Sequence, residues 1–441
     1  MEFVTDKQTL DDLNILGRYK GNSIFNLFNK TVTNEGSRLL EKMFQHPLTN
    51  VDSINERTAI FSFFEEINVA LPFDAEDFEI VENYIRNSGL KGRLPATSNL
   101  VKWKLLNTFA NDENYTVLQN GLIKTIEVFS RLKQLFESIE KSSTLTPYHK
   151  TVVKNIEFLN SNQLELACQK AGNPSLSLSE TIKLDYIFRS LLNADFEKFL
   201  NDIYELDVFI AVSKVAKENG FTYATAIDKN EKYIDIKQVS HPCIKNAVAN
   251  DVYIGGDKNV FFLTGANMAG KSTLMKSFAI AVYMAHMGFP VAAKQMNFSL
   301  HDGIYTSINV PDNLTKGYSH FYAEVLRVKH VAQEVASNKQ LVIIFDELFK
   351  GTNVKDAYDG TVAIVDAFSK RNGTFIISTH ITEAGEKLRE SNSRLFFQYL
   401  PTVMDGSVPT YTYRLKEGIT DDRHGMLIIK NEKIIETINA E

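Results

Sequence analysis

Between Gly265 and Thr273 the chain gathers two glycines, one ammonium and two hydroxyls: Gly265-Ala266-Asn267-Met268-Ala269-Gly270-Lys271-Ser272-Thr273. The spacing fits G-x-x-x-x-G-K-[ST], a loop whose backbone N–H groups turn inward around phosphate oxygens. The apolar run Val260–Leu263 precedes it and the helical run Leu274–Met287 follows. A strand therefore leads into the loop, and the following helix N-terminus adds partial positive charge. In this pattern Lys271 charges the site for β- and γ-phosphates and the Ser272 hydroxyl ligates Mg²⁺. ATP and Mg²⁺ are the expected cofactors, with residues 265–273 as the ATP-binding loop.

Two further constellations fit the same chemistry. Asp346-Glu347 closes the apolar run Leu341–Phe345, at the strand end where α/β sheets bind ligands. Asp346 is expected to hold Mg²⁺ through water, and Glu347 to act as general base on the attacking water. His380 follows Thr374–Thr379 and is placed to sense the γ-phosphate or that water, although a lone histidine after a strand also suits a structural role. The stretch Asp312–Glu324, read alone, is a glycine-containing loop followed by a helix with Ser319 as its N-cap.

These groups need elements to hold them. Residues 220–441 alternate short buried runs (Val260–Leu263, Leu341–Phe345, Thr374–Ser378) with helical segments, the pattern of a mainly parallel sheet in an α/β layer. Tyr233–Lys237 alternates like a strand. Residues 1–219 read as helix instead. Apolar residues recur at three and four in Ile24–Phe28, Leu39–Phe44, Ile54–Phe64, Leu118–Leu135 and Ile187–Val215. Pro47, Pro72, Pro95 and Pro147 punctuate these stretches, and 111–114 and 141–144 read as exposed loops. The expected fold class is α plus α/β, with two domains meeting near residue 220.

The whole chain sets the bounds. Its 441 residues carry a net charge of −6, with 28 basic against 33 acidic side chains in residues 1–250, so neither half is a basic block. Any nucleic-acid contact must then come from local patches or from dimer geometry. No run of eighteen apolar residues suggests a membrane span, and Met1–Asp12 lacks the apolar core of a signal peptide. Cys168 and Cys243 match no metal or redox spacing, which points to a reducing cytoplasm.

The four motifs, in this order, resemble the MutS family of DNA mismatch-repair ATPases. Thr264–Thr273 fits that family's T-G-x-N-M-x-G-K-S-T loop. Asp312–Glu324 is similar to its D-x-L-x-x-G-x-S-x-F-x-x-E element, Asp346–Thr352 to its acidic strand end and following loop, Ser378-Thr379-His380 to its A-T-H switch, and Ser240-His241-Pro242 to the H-P ahead of the ATPase module. Thr31, Thr33, Gly36, Arg38, Leu39-Leu40, Pro47-Leu48 and Arg57 resemble the start of the family's core lever domain, and Glu205–Val208 its closing helix. The resemblance implies a helical core or lever domain (1–219) followed by an ABC-type P-loop ATPase domain (220–441). It also implies a homodimer in which Ser319 reaches the partner's γ-phosphate. The family's adenine-stacking aromatic aligns with Ala247; Val248 keeps its apolar neighbour, and Tyr413 supplies a candidate ring from the other side.

Departures from the family are also legible. The match starts at the family's third domain, so its mismatch-reading and connector domains are not expected here. Phe63-Phe64-Glu65 matches the family's mismatch wedge string, but it sits in an expected core helix and reads as coincidence. After His424-Gly425 the usual C-terminal dimerisation element is expected to be shortened. The expected function is ATP-controlled binding of mismatched or distorted duplex DNA in mismatch repair. The alternative is a MutS-like ATPase acting on branched DNA or ribosomes. A transporter-type or SMC-like ATPase is disfavoured by the missing L-S-G-G-Q signature and the lack of a heptad arm.

Overall fold

The computed structural model describes residues 2–17, 21–86, 104, 114–172, 175–266, 268–308, 320–405, 408–420 and 437–438. Two compact units emerge: a helical unit of residues 28–42 and 59–217, and a sheet unit of residues 1–27, 43–58 and 218–441. The transition at residue 218 lies beside the change of texture in the sequence. The sheet unit, however, also takes in residues 1–27 and 43–58, which the sequence reading assigned to the helical half.

The helices are α1 (Lys7–Asp12), α2 (Ile24–Phe28), α3 (Asn34–Gln45), α4 (Val51–Ile67), α5 (Ala75–Arg86), α6 (Asn114–Ser143), α7 (His149–Leu159), α8 (Glu165–Lys170), α9 (Leu178–Tyr186), α10 (Asn193–Asn219), α11 (Lys271–His286), α12 (His320–Ala336), α13 (Val354–Ser369) and α14 (Thr382–Ser391). Residues 141–143, expected in a loop, form the last turn of α6. The stripe Ile187–Val215 is not one helix: a π-turn at Ile187–Leu191, closed by Leu192 N–H to Ile187 O, precedes α10. The extra residue in that turn shifts the phase of the stripe while Ile187 and Phe188 stay buried.

Aromatic side chains fill the helical unit. Phe64 stacks on Phe209 at 5.9 Å with the rings nearly parallel, and meets Tyr148 edge-on. Phe63 and Phe64 are both buried, so the wedge-like string packs into the core. Asp207 of α10 reaches across to the start of α3. It accepts from Val32 N (2.9 Å), Thr33 N (2.7 Å) and Thr33 Oγ1 (2.7 Å), while Thr33 Oγ1 caps the helix by accepting from Gly36 N. A Cβ at Gly36 would lie 2.6 Å from the Asp207 carboxylate, so only glycine admits this approach. Burial raises the Asp207 pKa, and the three donors act against that shift.

The strands are β1 (Thr222–Tyr223), β2 (Thr225–Ile227), β3 (Ile234–Val239), β4 (Asn250–Ile254), β5 (Val260–Gly265), β6 (Pro290–Val291), β7 (Gln295–Ser299), β8 (Gly303–Ser307), β9 (Leu341–Asp346), β10 (Gly373–Thr379), β11 (Leu395–Leu400), β12 (Thr402–Asp405), β13 (Val408–Tyr411) and β14 (Lys416–Glu417). The main sheet runs β14-β11-β5-β10-β9-β8, parallel throughout except for β14. A second sheet, β2-β7-β3-β4, is mainly antiparallel, so the unit is more mixed than the sequence suggested.

The β8 edge is partly covered by the N-terminal segment. Val4 bridges Gly303, and the buried Asp12 carboxylate accepts from Thr306 Oγ1 (2.8 Å) and Ile308 N (2.9 Å). Asp6 holds Arg327 of α12, whose guanidinium also donates to Thr306 O. These bonds satisfy an otherwise open strand edge.

Candidate nucleotide-binding site

Three segments distant in sequence meet because β10 lies between β5 and β9. Ser378 pairs with Leu263 on one side and with Asp346 on the other, and Thr379 pairs with Thr264. Parallel strands in register bring their C-terminal ends to one edge of the sheet. The loop after β5, the acidic pair of β9 and the Ser378–His380 segment therefore share a rim.

The loop after β5 turns sharply into α11. Gly270 adopts φ +100°, and a Cβ there would meet the Tyr413 ring at 2.9 Å. Lys271, only 5% exposed, donates from Nζ to Gly265 O (2.8 Å) and Ala266 O (3.2 Å) and lies 3.6 Å from Glu347 Oε1. Ser272 Oγ donates to Asp346 Oδ2, and Ser378 Oγ donates to Asp346 Oδ1 at 2.6 Å. One carboxylate is thus fixed on both oxygens by hydroxyls from the two neighbouring segments.

Glu347 adopts φ +60°, an uncommon conformation for a non-glycine residue, and its N–H is anchored on Ser378 O at 3.1 Å. Its carboxylate sits 3.7 Å from His380 Nδ1 and 3.6 Å from Lys350 Nζ. The His380 contact, joined by Lys271 and Lys350, outweighs burial and holds the Glu347 pKa at about 2, so the carboxyl is ionised at neutral pH. His380 remains half exposed at the rim.

Beside the loop lies a cavity of about 290 Å³, lined by Val248, Tyr413, Gly270, Thr273 and Leu274 among others, with Ala247 also in its wall. Asn250 fixes this wall: its Nδ2 donates to Tyr413 O (2.9 Å) and its Oδ1 accepts from Leu415 N (2.8 Å). His241, of the Ser240-His241-Pro242 string, lines the same cavity; burial, then Lys276, lowers its pKa.

The structure therefore brings together Lys271, Ser272, Asp346, Glu347 and His380, with Val248 and Tyr413 in the adjoining cavity. Asn267 and Ser319 lie outside the described residues. From the same stretch as Ser319, Glu324 is buried on α12 and accepts from Gly351 N–H at 3.4 Å. Ser378 and Lys350 entered the sequence reading only as parts of family-like strings, with no role of their own, and Asn250 did not enter it. Ser378 was discoverable from its place near the C-terminal end of β10, two residues before His380. Asn250 gave no local hint of the Tyr413 wall, since the two partners that fix that wall are 163 and 165 residues away.

The donor set suits Mg²⁺. The hydroxyl of Ser272 and the carboxylate of Asp346 are hard oxygens already in contact, leaving further positions for phosphate and water. Among the described residues no group of three or more His, Cys, Asp or Glu forms a separate metal cluster. No helix there is long and apolar enough to cross a membrane.

Comparison with known proteins agrees with the motifs. The family model for MutS domain III matches residues 8–213, and that for MutS domain V matches residues 261–440. The DNA mismatch repair protein MutS of Shouchella clausii is 30% identical over 53% of this chain and 27% of its own length. The DNA mismatch repair protein MutS of Clostridioides difficile is 26% identical over 95% of this chain and 54% of its own length. The DNA mismatch repair protein MSH3 of Vanderwaltozyma polyspora is 26% identical over 88% of this chain and 37% of its own length. The chain thus spans about half or less of the length of these relatives. With residues 8–213 matching one MutS domain and residues 261–440 matching another, this chain belongs to the MutS family.

Proposed function

We propose that the chain is a Mg²⁺-dependent ATPase whose nucleotide state controls binding of mismatched or otherwise distorted duplex DNA, as a homodimer, in mismatch repair. The observation that carries the ATPase reading is the Asp346 carboxylate held by Ser272 and Ser378, with Lys271 and Glu347 beside it. The DNA part rests on relatives named as mismatch repair proteins.

In this reading Lys271 turns from the carbonyls of Gly265 and Ala266 to the β- and γ-phosphates, in a loop pattern whose N–H groups turn inward around phosphate oxygens. Val248 and Tyr413 flank the base. Ser272 and Asp346 hold the metal, and Ser378 keeps the Asp346 carboxylate oriented. Mg²⁺ supplies charge neutralisation for the phosphate oxygens. Glu347, ionised and aimed from the strand end, accepts the proton of the attacking water, and His380 positions both. Ser319 of each subunit closes over the partner's nucleotide, so ATP favours the closed dimer.

The test is the ATPase rate of the purified protein with and without homoduplex, mismatched and four-way-junction DNA, at two salt concentrations. Hydrolysis altered by mismatched DNA, with the effect weakening at high salt, is the expected result. Hydrolysis indifferent to every DNA removes the DNA half of the reading and leaves the ATPase. No hydrolysis at all removes both.

A further inference from the structure

The main sheet has a second functional-looking end. At the N-terminal ends of β5, β9, β10 and β11, across the strands from Lys271 and Asp346, lies an open polar cleft of about 400 Å³. Six-residue strands separate the two ends by roughly 20 Å. The cleft is lined by four cations, Lys232, Lys258, Arg371 and Arg394, against one carboxylate, Asp257. In a unit whose charges otherwise nearly balance, this concentration of one sign is local.

Two of the four cations are engaged by the fold. Arg394 Nη1 donates to Ser369 O at 3.0 Å, at the C-terminus of α13, where positive charge complements the helix carbonyls. Lys258 Nζ sits 5.0 Å from the Phe396 ring. Those contacts hold both heads at the cleft. Lys232 and Arg371 are exposed, and neither side chain has a polar partner among the described residues. Arg371 is nonetheless held by its backbone, which accepts from Asn259 Nδ2 at 2.9 Å and donates to Phe368 O. The side chains of Asn372 and Ser393 add further polar groups to the lining. Four cations with no carboxylate partner among the described residues, around one concavity, form a surface that attracts anions.

We propose that this cleft binds phosphate oxyanions, at a site separate from the ATP loop. The phosphates come either from a nucleic-acid strand or from a free phosphate compound, and both present the same oxyanions to the Lys232–Arg371 pair. The inference does not depend on the ATPase reading, because none of its residues belongs to the nucleotide site.

The experiment uses the full chain carrying Lys271→Ala, which silences the ATP loop, with and without Lys232→Ala plus Arg371→Ala. Binding of fluorescein-labelled homoduplex is followed by anisotropy, and binding of pyrophosphate by calorimetry. Melting temperature reports folding, and Arg371→Gln alone serves if the double change disturbs it. In the Lys271→Ala parent at least one probe is expected to bind, and the added changes should weaken it roughly tenfold or more. If the duplex is the ligand, its log–log salt slope should also fall by about 1.8, the share of two lost cations. Loss confined to pyrophosphate assigns the site to free phosphate compounds; loss of duplex binding assigns it to a strand. If neither probe binds the parent, or both bind the altered protein equally well, the cleft is not a phosphate site.

Discussion

At the scale of single residues, the division of labour around Asp346 makes separable predictions. Lys271→Ala removes the ammonium that touches the loop carbonyls, and ATP binding measured by calorimetry should be lost. Glu347→Gln keeps the loop and the metal ligands, so binding should persist while hydrolysis falls by about 10²–10⁴-fold, the usual worth of a positioned base. Ser378→Ala leaves every expected ligand in place but frees one oxygen of Asp346. Its signature should be a Mg²⁺ requirement raised by roughly 10-fold or more, with near-normal rate at saturating metal. An unchanged Mg²⁺ titration would make that bond structural only. Ser319→Ala should slow turnover, and a mixed dimer with Lys271→Ala should keep one intact composite site. Normal turnover for Ser319→Ala leaves that residue as a helix cap.

At the scale of elements, the joint between α10 and α3 is the clearest case of a long-range clamp. Asp207 meets two backbone N–H groups and one hydroxyl 174–175 residues away. Asp207→Ala strips these donors of their acceptor inside a buried site. It should destabilise the helical unit by about 2–4 kcal/mol, whereas Thr33→Ala, which keeps the two backbone bonds, should cost about 1–2 kcal/mol. Urea unfolding followed by far-UV circular dichroism checks both. Equal losses for the two would show that the cap, and not the cross-link, carries the stability. The sequence held both halves of this joint as family-like strings, Thr33–Gly36 and Glu205–Val208, but nothing local said that they touch.

At the scale of the whole molecule, two buried histidines set an acid limit on stability. Burial lowers His286 to about 4 and, with His286 beside it, His301 to about 3. Both are folded in the neutral form: His301 N–H donates to His286 Nε2 at 3.0 Å, and His301 Nε2 meets Thr374 Oγ1 at 3.0 Å. Their folded pKa values lie below the ordinary 6.5, so the unfolded chain binds more protons between about 4 and 6.5. Stability from this pair is fully present above 6.5 and declines as pH falls, by up to about 1.4 kcal/mol per pH unit for each histidine. Thermal melts at pH 7.5 and 5 should show the loss, and His301→Asn should flatten the slope even if it lowers the melting temperature throughout. A slope unchanged in that variant would place the acid sensitivity elsewhere. As for what was legible beforehand, the sequence by itself determined the glycine-bounded turn between strand and helix, the acidic strand end, the three buried strands and the helical character of the first half. Each of those is a local statement about spacing, period or backbone freedom, and local physics writes it into neighbouring residues. Only the tertiary structure decided that β10 lies between β5 and β9, so that Ser378 joins Asp346. The same holds for Asn250 setting the Tyr413 wall, for the first residues covering the β8 edge, and for four scattered cations converging on one cleft. Strand order and register depend on which buried surfaces pack best across the whole chain, and no window of sequence contains that sum.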